Sequence, residues 1–121
     1  MNPVILLVDD NEEILEFLEH ELIEKYTVIK ALNGEQAFTI IKEEAIQLVI
    51  CDVMMPVMNG FELCRIIKTH AQGQETPVLF LTSCKEKEDL MTGREVGASG
   101  YLTKPFYAKD LYKEVERLLA A

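Results

Sequence analysis

The stretch Val4-Ile5-Leu6-Leu7-Val8-Asp9-Asp10-Asn11-Glu12-Glu13 sets the reading of the whole chain. Five apolar residues without a break suit a strand covered on both faces, as in a parallel sheet; a half-wet strand would alternate. Two carboxylates close the run. Asn11 then offers an N-cap for a helix whose first turn, Glu12 and Glu13, is acidic as the helix dipole prefers. The same unit recurs. Leu48-Val49-Ile50-Cys51 runs into Asp52, Val78-Leu79-Phe80-Leu81 closes on Thr82, and Tyr101-Leu102-Thr103 runs into Lys104. Strands of one polarity line one sheet edge, and in open parallel sheets ligands bind outside the carboxyl ends. Asp9, Asp10, Asp52, Thr82 and Lys104 are therefore predicted to converge.

Between these runs the apolar spacing is helical. Ile14, Leu15, Leu18 and Leu22 give one buried face; Ala37, Ile40 and Ile41 give a second, after a strand over 27–32 and an Asn33-Gly34 opening. Leu63, Ile66 and Ile67 follow a loop through Pro56 and Asn59-Gly60. A fourth helix is expected over 85–96, stopped by Gly97 in a left-handed C′ conformation, and a fifth over 107–120 with Leu111, Val115 and Leu118 inward. Five β-α units make an α/β fold. The second and fifth strands carry more polar residues and suit the edges, which gives the order 2-1-3-4-5 with its switch point between strands one and three. Asp9, Asp10 and Asp52 flank that point.

At 121 residues the chain fits one domain, 1–121. A net charge of −9 argues against direct binding to nucleic acid or to an anionic membrane. No apolar run reaches the length of a membrane span, and the N-terminus lacks the marks of a signal peptide. Cys51, Cys64 and Cys84 are odd in number and lack C-x-x-C spacing, so they read as reduced thiols in a cytoplasmic protein.

Three clustered carboxylates repel strongly: two unit charges about 4 Å apart cost roughly 4 kcal/mol at an effective dielectric near 20. A hard dication relieves this, and Mg²⁺ takes one or two carboxylates and completes its shell with phosphate oxygens. With Lys104 as a second cation and Thr82 as a hydroxyl donor, the set suits phosphoryl transfer to a carboxylate. Asp52 stands alone between Cys51 and Val53 and is the preferred nucleophile; the Asp9-Asp10 pair suits the metal. Taken singly, each residue also has a plain reading, as an N-cap, a strand-end hydroxyl or a solvated cation. His20 and His70 read as surface residues, and Met54, Met55 and Met58 as core filling and loop packing.

Val8-Asp9-Asp10-Asn11, Asp52-Val53-Met54-Met55-Pro56 with Gly60, Leu81-Thr82-Ser83, and Tyr101-Leu102-Thr103-Lys104-Pro105-Phe106 together resemble a response-regulator receiver domain of bacterial two-component phosphorelay signalling, over the whole chain and in order. The resemblance implies a flavodoxin-like (βα)5 three-layer sandwich. It implies a signalling domain rather than an enzyme, one with intrinsic phosphoryl-transfer and autodephosphorylation chemistry. Asp52 would accept a phosphoryl group from a histidine kinase or phosphotransfer protein. Asp9, Asp10, Asp52 and the Met54 carbonyl would hold Mg²⁺ or Mn²⁺, Asp10 directly. Lys104 would pair with the phosphoryl group ahead of a cis bond to Pro105, and Thr82 and Tyr101 would form the coupled switch. The face built by the fourth helix, fifth strand and fifth helix would then act on an output domain, a downstream protein or a phosphorylation-dependent homodimer.

Some positions depart from the family pattern. Ser83 and Cys84 follow Thr82, where the family often has Ala or Gly first, and Met54 lies two past the acceptor; these flank the site and would tune attack by water. Gly100 and Glu114 stand where many DNA-binding regulators of the family carry an Asp and an Arg that pair across a dimer, which favours a stand-alone receiver or the receiver of a hybrid kinase or another multidomain regulator. Rival readings fare worse. An electron carrier of the flavodoxin kind needs a Ser/Thr/Gly-rich phosphate loop where Asp9 to Glu13 are acidic. A haloacid-dehalogenase-like phosphatase needs D-x-D after its first strand and more chain. The remaining alternative is an interaction module of receiver shape that works without phosphorylation.

Overall fold

The unbroken apolar runs form the middle of a parallel sheet. A computed structural model describes residues 2–70, 73–83, 92 and 94–120. Along them the order is β1 (Val4–Val8), α1 (Glu12–Leu22), β2 (Thr27–Ala31), α2 (Gly34–Glu43), β3 (Leu48–Cys51), α3 (Gly60–Thr69), β4 (Val78–Thr82), β5 (Gly100–Thr103) and α4 (Ala108–Ala120). Five parallel strands lie in the order β2-β1-β3-β4-β5. Every residue of β3 and β4 is buried and β1 is buried after Val4, whereas at the edges β5 is half-buried throughout and β2 is exposed or half-buried until Ala31.

Alternation along the strands feeds two cores, because successive side chains leave opposite faces. Leu6, Val8, Val49, Cys51 and Phe80 pack with Ala37 and Ile41 of α2 and Leu63, Cys64 and Ile67 of α3. Ile5, Leu7, Leu48, Ile50, Leu79 and Leu81 pack with Leu15, Leu18 and Leu22 of α1 and Leu111, Val115 and Leu118 of α4. The result is three layers, helix on sheet on helix. Ile14, Ile40 and Ile66, expected inward, are only half-buried at the margins of these faces, while Cys64 fills the place beside Leu63.

Local chemistry fixes the element ends. Asn11, Asn33 and Asn59 cap α1, α2 and α3 through their side chains, the last in a reciprocal box with Glu62. β2 stops at Ala31 rather than at 32 because the Leu32 amide donates to Gln36 Oε1 (2.8 Å), already part of the α2 entry. Tyr107 precedes α4 rather than joining it, its carbonyl accepting from the Asp110 and Leu111 amides. Most of the helix expected over 85–96 lies outside the described residues. Its end is described: Val96 N donates to the Thr92 carbonyl at 3.0 Å, and Gly97 takes φ 97°, the left-handed stop expected of it. The final helix α4 is thus the fifth segment of the sequence pattern.

Candidate functional site

Backbone ladders carry the polar residues one step past the strands and hold them level. Asp9 N donates to the Ala31 carbonyl (3.2 Å), Asp52 N to Val8 (3.0 Å) and Lys104 N to Thr82 (2.8 Å). The side chains therefore meet at one edge. Asp9, Asp10 and Asp52 each offer an oxygen within 4.8 Å of the others, Asp9 and Asp52 buried and Asp10 exposed. Lys104 Nζ lies 3.5 Å from Asp9 Oδ2 and 4.0 Å from Asp52 Oδ1. Thr82 closes β4 fully buried. The Lys104-Pro105 bond is cis, as the resemblance implied.

The acidic edge is electrostatically tense. Burial pushes the Asp9 carboxyl above its ordinary range, and the neighbouring Asp52 and Asp10 charges push the same way; the Asn11 amide, 2.9 Å from Asp9 Oδ1, and the Lys104 ammonium pull it back. Hard oxygen donors this close, two of them withdrawn from water, match what a small dication needs, so the residues present fit Mg²⁺. Cys51, next to Asp52 and buried, turns its thiol to the Asp52 carbonyl (3.1 Å), and burial raises its pKa well above the usual thiol value.

The β3–α3 loop wraps the site. Met54 N donates to Asp52 Oδ1 at 3.4 Å. Gly60 opens α3 directly against the end of β3: its amide donates to the Val53 carbonyl (2.9 Å), and a Cβ there would sit 2.3 Å from the Asp52 carbonyl oxygen. Tyr101, midway along β5, is half-buried, its ring edge-on to Phe80 with centroids 6.0 Å apart. It therefore stands apart from the carboxylates, on the layer that Phe80 and Phe61 share.

Two side-chain expectations need correction. Met55 is buried and Met58 half-buried as filling residues, but the Met54 side chain is 63% exposed, because its backbone turns toward Asp52 and throws the thioether outward. His70 is not a plain surface residue: it is half-buried, edge-on to Phe38 at 5.6 Å. Sequence reading also missed Val57, which takes φ 70° while the Met58 amide donates across it to the Pro56 carbonyl (2.8 Å), a positive-φ γ-turn. No glycine at that position signals the turn.

Comparison with known proteins agrees with this geometry. The family model for the response regulator receiver domain matches residues 5–116. A probable transcriptional regulator, ycf27, of Porphyra purpurea is 40% identical over 95% of this chain and 46% of its own length. The alkaline phosphatase synthesis transcriptional regulatory protein PhoP of Bacillus subtilis is 38% identical over 98% of this chain and 49% of its own. The chain thus spans about half the length of these curated relatives. Among solved structures, the chemotaxis protein CheY4 of Vibrio cholerae superposes with a TM-score of 0.94 at 35% identity, covering 98% of this chain and 100% of that one. The BeF3-activated DrrB receiver domain does so at 0.91 and 37%, covering both chains fully. No helix among the described residues is long and apolar enough to cross a membrane. With the family model matched over residues 5–116, relatives up to 40% identical and the same fold at TM-scores of 0.91 to 0.94, the chain belongs to the response regulator receiver domains, signalling modules of two-component systems.

Proposed function

We propose that residues 1–121 form one Mg²⁺-dependent phosphoacceptor domain, with Asp52 as the acceptor. The observation that carries this is the juxtaposition of three carboxylates within 4.8 Å, with Lys104 Nζ reaching two of them. Asp52 holds a carboxylate oxygen toward the edge, with the Met54 amide 3.4 Å and the Lys104 ammonium 4.0 Å from its Oδ1. That oxygen attacks the phosphorus of a phosphohistidine on a histidine kinase or phosphotransfer protein. The new O–P bond forms as the P–N bond breaks, and the imidazole leaves with the electron pair and takes up a proton. Lys104 exchanges its long contact to Asp52 for the phosphoryl oxygens. Asp9, Asp10, Asp52 and the Met54 carbonyl would hold Mg²⁺, or Mn²⁺ in its place, and the ion when bound neutralises charge on the transferring group.

Thr82 and Tyr101 act as the switch. A new dianion at the edge draws the Thr82 hydroxyl, and Tyr101, on the neighbouring strand, repacks against Phe80; the face that includes β5 and α4 shifts its population accordingly. An output domain, a downstream protein or a second receiver then reads that face. The whole operates in the cytoplasm. Release of the phosphoryl group to water returns the domain to its starting state, which makes it a signalling domain and not a metabolic enzyme.

Intact-protein mass after incubation with acetyl phosphate tests the reading. Wild type gains one phosphoryl group only with Mg²⁺ or Mn²⁺ present, and Asp52→Asn gains none. Labelling that persists in Asp52→Asn would move the acceptor elsewhere. No labelling of the wild type beside a competent control receiver would favour a module that works without phosphorylation.

A further inference from the structure

The loop that leaves Asp52 carries the methionines Met54, Met55 and Met58 at three different depths. Met55 is buried, only 8% exposed, and its amide donates to the Val53 carbonyl at 3.2 Å. Met58 is half-buried, with its Sδ packed so close to Gly34 that a Cβ there would meet it at 2.5 Å. Met54 is 63% exposed. Its backbone is nevertheless pinned on both sides, by the 3.4 Å contact of its amide with Asp52 Oδ1 and by the buried Met55 that follows. The thioether therefore reaches water while staying tethered, by one short side chain, to the backbone that touches the acceptor. The phosphoryl chemistry uses the amide and carbonyl of Met54 and leaves its sulfur idle.

We propose that Met54 is a reversible oxidation site whose sulfoxide shortens the life of the phosphoryl group on Asp52. The inference rests on the acceptor reading above. A hydroperoxide supplies the oxygen. A sulfur lone pair attacks one peroxide oxygen, the O–O bond breaks, and the departing oxygen takes up a proton. Sulfur is oxidised to the sulfoxide while hydrogen peroxide is reduced to water. A thioether accepts hydrogen bonds only weakly, so Met54 as it stands organises no water. The sulfoxide oxygen is a polar acceptor that holds a water at the mouth of the site, placed to attack phosphorus and release inorganic phosphate. Depth sorts the three sulfurs. At Met55 and Met58 the same oxygen would be forced into apolar packing, so oxidation there comes later and disrupts the loop.

The test treats the full chain with graded hydrogen peroxide, maps the oxidised residues by peptide mass, and then phosphorylates with acetyl phosphate and Mg²⁺. Loss of the phosphoryl group is followed by intact mass after the donor is removed. At the lowest effective dose, Met54 should carry one oxygen while Met55 and Met58 carry none. The phosphoryl half-life should then fall about fivefold, the worth of one net hydrogen bond. A methionine sulfoxide reductase should restore both the mass and the half-life. Met54→Leu, treated alike, should keep its own half-life, which separates Met54 from the other methionines and the cysteines. Oxidation of Met55 or Met58 ahead of Met54 overturns the proposal. So does an unchanged or longer half-life in the Met54 sulfoxide, a fall that the reductase does not reverse, or an equal fall in Met54→Leu. Failure of the acceptor reading looks different, because the unoxidised protein then gains no phosphoryl group at all, and the proposal falls with it.

Discussion

Val57→Gly should stabilise the protein even though it removes a side chain. Val57 sits at φ 70° in the β3–α3 loop, bridged by the hydrogen bond from Met58 N to the Pro56 carbonyl at 2.8 Å. A β-branched residue is poorly suited to that region, and such backbone strain costs about 1–3 kcal/mol. The side chain is 95% exposed, so its removal forfeits almost no burial. Against the relief stands the extra freedom glycine gives the unfolded chain, about 0.5–1 kcal/mol. The net gain is about 1 kcal/mol, which for a domain of this size raises Tm by about 3–5 °C. Urea unfolding should show a higher midpoint at unchanged slope. Val57→Ala keeps its Cβ and should gain less. If Val57→Ala matches Val57→Gly, or if glycine lowers the midpoint, the strain is not where the backbone angle places it.

Gly60→Ala is the opposite case: a Cβ 2.3 Å from the Asp52 carbonyl and 2.9 Å from Val53 Cα forces backbone apart, and urea unfolding should register a loss of about 1–3 kcal/mol. Unchanged stability would mean that α3 can slide away from the end of β3 freely. In a Cys84→Ser background, Cys51 and Cys64, both buried and Cys64 raised to about 11, should resist a thiol reagent at about pH 8 in the native state and react together on unfolding. Rapid native labelling of either would show that the α3 side of the core opens locally. Asp10→Asn removes one of the three clustered charges and should raise the metal-free Tm slightly while reducing the Tm gain on adding Mg²⁺. An undiminished gain in a thermal melt would exclude Asp10 from the ion's ligands.

Much of this molecule is legible in its sequence because burial is written in composition. β1, β3 and β4 must be central because their residues are apolar without alternation, and the more polar β2 and β5 take the edges. Once the strands are parallel and ordered, Asp9, Asp52, Thr82 and Lys104 have to share an edge, since Thr82 ends β4 and each of the others follows its strand directly. What sequence does not carry is the path of loops and the meeting of distant side chains. Nothing in Pro56-Val57-Met58 announces a positive φ. Met54 reads as core filler, yet the amide that turns toward Asp52 leaves its side chain in water. Arg117 lies back over the missing Cβ of Gly100 to reach the Ser99 carbonyl, a relation between two elements that neither spells out alone.

The acidic edge illustrates why a functional site can be the least comfortable part of a well-packed fold. With all groups ionised, three carboxylates face one ammonium, and two of the acids are buried where repulsion is least screened. Lys104 holds both at arm's length, 3.5 and 4.0 Å, and is itself 22% exposed, so its contacts are loose enough to be redirected. Asp9 is held differently. Its Oδ1 accepts the Asn11 amide at 2.9 Å and so shapes the entry to α1 as well as carrying charge. Asparagine at that position would keep an acceptor for Asn11 while removing the charge. Charge and shape are therefore separable at Asp9: Asp9→Asn should preserve the α1 entry and relieve repulsion, whereas Asp9→Ala should relieve the same repulsion but leave the Asn11 amide without its partner, at a cost of about 1 kcal/mol or more. The difference in unfolding free energy between the two variants isolates the structural share of a residue whose other share is electrostatic, and equal stability would assign Asp9 to charge alone.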